Sequence, residues 1–298
     1  MYARPEILST AQPGNLMRIL TLGYSTCPND TYIFGPLASG LVRAGEYGFH
    51  ITLADVERLN RWAAEGGPDV CKVSAAALPK LLDRYWLLRA GGAMGWGVGP
   101  VLVAREGVSP QDLQGRRVAI PGQNTTANLL FGLLLEELGV EVELVELVFD
   151  EIEPAVLSGD VAAGVLIHEG RFTYQRRGLR LVRDLGAWWE GSSGLPIPLG
   201  GIVMRRDLGE DAARAVNEAI RQSLITARGD ESLVWPYVIR HAQELSQSVI
   251  LEHIRTFVTP YSLDVGEEGE RAVRALLGAA GRPGEPGAVV PAPLFAPC

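Results

Sequence analysis

Short β-type apolar runs alternate with helical patterns along most of this chain, and the junctions between them carry small polar residues. RILTLGYS (18–25) leads into DTYIFGPLASGLVRAG, FHITLADV into ERLNRWAAEG, and DVCKVS into AAALPKLLDRY. Past residue 105 the pattern resumes: a strand at 117–120 precedes NTTANLLFGLLLEELG, VELVELVF precedes DEIEPAVLSG, and DVAAGVLIHEG follows. Such alternation predicts an α/β protein with layers packed on mostly parallel sheets. Ligands of such sheets lie outside the carboxyl ends of the strands, where loops lead into helices. The junctions therefore become a list of candidate site loops.

The pattern also predicts helix ends. A first helix is expected over 30–45, capped by Asn29 or Asp30 and stopped by Gly45. A third, blurred by Pro79, is expected over 75–85. A strong helix over 124–139 is capped by Asn124 or Thr125 and ended by Gly139. YWLLRAGG and GVGPVLVAR read as further strands. GGAMGWGVG (91–99) between them does not lead into a helix, so it reads as a flexible crossover and not as a dinucleotide loop. Residues 209–281 read as helical throughout. The Pro/Gly-rich tail 282–298 reads as irregular.

Composition narrows the function classes. A chain of 298 residues can bury a large core. The net charge of −8 argues against a nucleic-acid partner. No apolar stretch is long enough to span a bilayer. Residues 1–16 lack the apolar core and cleavage site of a signal peptide, so they read as a loose extension of a cytoplasmic protein. Three cysteines without C-x-x-C spacing suggest neither a disulfide framework nor a zinc knuckle. Lys72 and Lys80 are the only lysines. An anionic ligand is thus expected to meet helix N-termini, whose free N–H groups and dipole favour negative charge.

Four junctions carry candidate chemistry. In GYSTCPNDTYIF, Ser25, Thr26 and Asn29 form a polar cradle at a strand's carboxyl end; taken alone, the same stretch reads as a helix cap stiffened by Pro28. In CKVSAAA, Ser74 is either an N-cap or a carboxylate donor. Lys72, two residues earlier on the same strand face, needs a partner or a route to water in its apolar setting. In PGQNTTAN, Thr125 and Thr126 are poor helix-interior residues and read as a cap plus a ligand donor. In GVLIHEGRFTY, His168 follows a buried strand directly and can serve as a general base near neutral pH, with Glu169 to orient it. His241 and His253 lie in charged helical stretches and read as surface residues. Cys27 stands near a helix N-terminus, a setting that lowers a thiol pKa, but no neighbour in sequence offers it a base. Zincin, nucleophile-elbow and Walker motifs are absent.

Together GYSTCPNDTYIF, KVSAAALPKLLDRYWLLRAGGAMGWGVGPVLVA, GRRVAIPGQNTTANLLF, GVLIHEGRFTY, LPIPLGGIVMRRDL and PYSLDVGEEGERAV resemble the 1,4-dihydroxy-6-naphthoate synthases, menaquinone-biosynthesis enzymes of the futalosine route. The resemblance runs from about residue 17 to about residue 277. The family's first loop more usually reads S-P-C-P-N-D, with Thr26 standing here at the first proline. The resemblance implies a two-lobed fold like the type-2 periplasmic binding proteins, with the ligand cleft between the lobes. Lobe one would comprise 17–105 and 204–281, and lobe two 106–203. It implies a carbon–carbon lyase that converts cyclic dehypoxanthine futalosine, a small carboxylate- and polyol-bearing substrate, to 1,4-dihydroxy-6-naphthoate and dihydroxyacetone, without metal or organic cofactor. His168 would be the proton acceptor. Lys72, Val73 and Ser74 would line the substrate from lobe one, Thr125 and Thr126 from lobe two. Two rivals share the architecture: a solute-binding protein, against which the absent export signal speaks, and chorismate dehydratase, which tends to lack the histidine of the IHEG block.

Overall fold

The structure is a computed structural model that describes residues 17–105, 107–242, 246–280 and 293–297. The expected extension 1–16 and most of the expected tail lie outside these residues.

The chain opens with β1 (Arg18–Tyr24), α1 (Pro28–Ala38), β2 (Tyr47–Leu53), α2 (Val56–Ala64) and β3 (Val70–Ser74). A 3₁₀ helix (Ala75–Lys80) then leads to β4 (Tyr85–Leu87), β5 (Ala93–Gly95) and β6 (Val101–Ala104). Next come β7 (Arg117–Ile120), α3 (Thr126–Leu138), β8 (Glu143–Glu146), α4 (Phe149–Ser158), β9 (Ala163–Leu166), α5 (Gly170–Thr173), β10 (Arg180–Asp184) and α6 (Leu185–Ser193). The long β11 (Ile197–Arg205) precedes four helices: α7 (Glu210–Gly229), α8 (Trp235–His241), α9 (Gln247–Phe257) and α10 (Gly266–Ala279).

Two sheets form. The first has the order β2-β1-β3-β11-β4, with β5 also on β11; the second has the order β10-β6-β9-β7-β8. The βα units pair in parallel, as the alternation predicts: β1 with β2 and β3, β7 with β8 and β9. The strands that follow a change of sheet run antiparallel: β11 against β3, β4 and β5, and β6 against β9 and β10. Each sheet is therefore mixed. Sheet membership changes between β5 and β6 and again between β10 and β11, earlier in both cases than the expected lobe boundaries after residues 105 and 203.

Several local expectations change. α1 starts at Pro28, whose fixed φ suits the first helical position, and its N-cap is Cys27. Asn29 and Asp30 are therefore inside the first turn and do not cap it. The helix ends at Ala38, and Gly45 lies beyond it. The segment 75–85 is a 3₁₀ turn and a loop, because Pro79 removes a helical donor. The glycine-rich crossover contains β5. Gly139, at φ 64°, ends α3 as expected. The end of the chain docks: Leu294 and Phe295 are buried, and both the N–H and the C=O of Leu87 on β4 bond to the segment. This covers a sheet edge. No helix among the described residues is long and apolar enough to cross a membrane.

Candidate active site

Strand carboxyl ends from both sheets converge on one cleft, the usual place for a small-molecule site in such a fold. Ser25, Asn29, Lys72, Val73, Ser74, Thr125, Thr126 and His168 all line it. Thr26 does not.

The first wall is organised by Asp30, for which the sequence suggests only a helix cap. Its carboxylate accepts from Ser25 Oγ (2.7 Å), Ser25 N–H (3.2 Å) and Asn29 Nδ2 (2.9 Å). It also pairs with Lys72 Nζ at 2.9 Å, and both side chains are buried. Lys72 further donates to Gly91 O at 3.0 Å. This answers why a lone lysine stands on an apolar strand: a buried charge persists only when paired and hydrogen-bonded.

Ser74 occupies the N-cap position of the 3₁₀ helix, yet its side chain makes no cap bond. Asn60 holds it instead, accepting from Ser74 N–H at 2.8 Å and donating to Ser74 Oγ at 3.1 Å. The Ser74 hydroxyl proton has no acceptor among the described residues and is available to a ligand.

Thr125 is the true cap of α3. Its Oγ1 accepts from Asn128 N–H and donates to Gly122 O. Thr126 Oγ1 donates to Leu199 O (2.8 Å) and accepts from Ala76 N–H (3.3 Å). Neither threonine hydroxyl is left as the expected ligand donor. The first-turn N–H groups of α3 on the cleft-lining Thr126 and Ala127 have no acceptor among the described residues.

His168 follows β9 with φ 55°, the only left-handed non-glycine residue among those described. Such a conformation is uncommon and clusters at functional positions. Loss of water around the ring pushes its pKa below the ordinary value of 6.5, while the Glu169 and Asp30 carboxylates pull the other way. The ring is therefore neutral at neutral pH. Cys27 Sγ lies 3.4 Å from Nδ1, so the cysteine has a basic neighbour that its sequence context did not reveal. Burial, and then the Asp30 charge, push the thiol pKa up. Cys27 is thus a neutral contact of the imidazole and not an activated nucleophile.

His253 corrects the surface assignment. It is 1% exposed, and its ring stacks on that of His168 with centroids 5.9 Å apart at 12°. Its Nε2–H donates to Asn29 Oδ1 at 3.0 Å, and its Nδ1, 3.7 Å from Glu169 Oε2, is buried without a hydrogen bond. Burial, and then His168, push its pKa well below 6.5. A signal for this was present: Val249, Ile250, Ile254 and Phe257 share the buried stripe of α9 with residue 253. Arg171 was also missed. It lines the cleft and is held by Gly99 O and by Asp184 at 3.0 Å. The described residues contain no group of three or more His, Cys, Asp or Glu that could hold a metal ion.

Two sheets joined by two crossings, with a cleft built from strand-end loops of both, define the periplasmic-binding-protein-like class. Solved structures agree. AF1704 from Archaeoglobus fulgidus matches with a TM-score of 0.82 at 34% identity, covering 88% of this chain and 96% of that one. The Escherichia coli aliphatic sulphonate binding protein SsuA matches with a TM-score of 0.60 at 12% identity, covering 80% and 79%, which speaks for the fold alone.

The menaquinone biosynthesis family model matches residues 20–282. A Thermus thermophilus protein named 1,4-dihydroxy-6-naphthoate synthase is 51% identical over 86% of this chain and 92% of its own length. A Streptomyces coelicolor protein of the same name is 45% identical, over 85% and 89%. The chain belongs to the menaquinone biosynthesis family and is an enzyme of that pathway.

Proposed function

We propose that the protein converts cyclic dehypoxanthine futalosine to 1,4-dihydroxy-6-naphthoate with release of dihydroxyacetone, and that His168 is the general base. The observation that carries this reading is the neutral His168 imidazole in a cleft whose other walls offer hydrogen-bond donors: the Ser74 hydroxyl and the first-turn N–H groups of α3.

The chemistry follows from that arrangement. His168 takes a proton from the polyol part of the substrate. The electron pair drives cleavage of a carbon–carbon bond in the retro-aldol sense, the three-carbon fragment leaves as a carbonyl compound, and His168 returns the proton to the other fragment as its ring system becomes aromatic. A positioned base of this kind contributes roughly 10²–10⁴-fold. The α3 N-terminus and Ser74 stabilise the substrate carboxylate or a developing oxyanion. Lys72 acts mainly through Asp30, fixing the wall that carries Ser25 and Asn29. No net redox change occurs, and the reading includes no cofactor. The two sheets with their flanking helices act as lobes that close on the substrate and exclude water. We place the protein in the cytoplasm, with its small-molecule substrate as its partner.

The deciding experiment is to incubate purified protein separately with cyclic dehypoxanthine futalosine and with chorismate, and to identify the products. The reading expects naphthoate and dihydroxyacetone in equal amounts from the first and no change in the second. Consumption of chorismate would transfer the protein to the dehydratase reading. Tight binding without turnover would transfer it to a solute-binding role.

A further inference from the structure

We infer that Glu57 and Asn60 are positioning residues that clasp Asn124 and thereby seat the α3 N-terminus against the opposite wall of the cleft. Only the activity arm of the test below rests on the proposed reaction.

Asn124 directly precedes the Thr125 cap. Its four polar atoms are all bound by residues on the first-sheet side. Its N–H donates to Glu57 Oε2 (3.1 Å) and its Nδ2 to Glu57 Oε1 (2.6 Å). Its C=O accepts from Asn60 Nδ2 (3.2 Å) and its Oδ1 from Lys80 Nζ (2.6 Å). An asparagine beside a helix start ordinarily serves its own helix as a cap. This one does not, because Thr125 does so.

Three further observations point the same way. Glu57 and Asn60 are buried, at 6% and 1% exposure, which is unusual for a glutamate on a surface helix. Gly122, at φ +145°, brings the loop so close that an added Cβ would lie 2.7 Å from Glu57 Cγ and Oε2. Asn60 also holds Ser74 through both its N–H and its hydroxyl. One side chain therefore ties the ligand donor of one wall to the loop carrying the donors of the other. Arg61 reinforces the junction by bonding both Glu57 and Glu146. The two crossings meet elsewhere, backbone to backbone, where a Cβ on Gly99 would lie 2.2 Å from Gly186 Cα.

A charge-conserving exchange tests the clasp. Glu57→Gln sets an NH₂ group against the Asn124 NH₂. Asn124→Asp sets a carboxylate against the Glu57 carboxylate. The double variant restores one donor and one acceptor between the two side chains in reverse order, with Lys80 still able to donate, but like Glu57→Gln it loses the Arg61 Nε–H bond to Glu57 Oε1. Losing a buried, charge-assisted hydrogen bond corresponds to roughly a tenfold or greater effect. Each single variant is expected to raise KM about tenfold while kcat changes less than about threefold, and the double variant to return KM to within about threefold of the parent. In small-angle scattering without substrate, both single variants are expected to show a larger radius of gyration than the parent and the double variant a parental one. Lys80→Ala, at an exposed position, is a milder variant that keeps the test open if a single variant does not fold, with a KM rise of about threefold expected. Parental KM and parental dimensions in the single or milder variants, or a double variant no better than the worse single one, would overturn the clasp. If the parent protein gives no product from cyclic dehypoxanthine futalosine, the proposed reaction fails, and scattering alone decides the clasp.

Discussion

Replacing His253 with glutamine tests whether the second histidine is buried and neutral. His253 is 1% exposed, donates through Nε2 to Asn29, and has an Nδ1 that makes no hydrogen bond, its nearest carboxylate being Glu169 at 3.7 Å. Its folded-state pKa is pushed well below 6.5, first by burial and then by His168. In the unfolded chain the ring takes up a proton near pH 6.5. Below that pH the unfolded state binds more protons than the folded state, so stability falls as pH falls. Above pH 6.5 both states are neutral and the contribution is flat. Integrated from pH 7.5 to 5.5, one such histidine accounts for about 1.4 kcal/mol of lost stability, provided its folded pKa stays below that window. His253→Gln keeps a donor for Asn29 and removes the titration. Urea unfolding of parent and variant at the two pH values is the assay. The parent is expected to lose about 1.4 kcal/mol more than the variant over the interval, whatever their difference at pH 7.5. Equal losses in the two proteins would refute the reasoning, since a surface histidine titrates alike folded and unfolded.

Other consequences follow from the same contacts. Lys72→Met leaves the Asp30 carboxylate buried and is expected to cost about 3–5 kcal/mol in urea unfolding; adding Asp30→Asn is expected to recover most of it, and an additive further loss would contradict the pairing. Gly122→Ala is expected to lower stability by about 1–3 kcal/mol, from its φ of +145° and its approach to Glu57; an unchanged thermal midpoint would contradict that packing. With cyclic dehypoxanthine futalosine as substrate, kcat/KM is expected to hold down to pH 6.5 and to fall only below it, because the base must be neutral and the His168 pKa lies under 6.5; a loss of activity beginning above pH 7 would contradict a lowered pKa.

Strand-end loops were legible because period and punctuation are local properties. Ser25, Lys72, Ser74, Thr125 and His168 were each found from the run that precedes them, and all face one cleft. What those side chains do there was much less legible, since hydrogen bonds between distant segments leave no local trace. Asp30 looked like a cap and is the hub of a buried ion pair with a residue 42 positions later. The Thr126 hydroxyl looked like a ligand donor and joins α3 to β11 and to the 3₁₀ helix. Glu252 and Arg255 beside His253 suggest solvent, whereas the spacing of Val249, Ile250, Ile254 and Phe257 places it on the buried stripe. The antiparallel placing of β6 and β11 was likewise hidden, for it depends on how the chain re-enters a sheet after each crossing.

The most direct test of the account is product formation by His168→Gln. The variant should be checked first for a parental circular dichroism spectrum and cooperative unfolding, then supplied with cyclic dehypoxanthine futalosine. The account predicts a fall in kcat of roughly 10²–10⁴-fold. A correctly folded His168→Gln protein that releases 1,4-dihydroxy-6-naphthoate at the parental rate would contradict it.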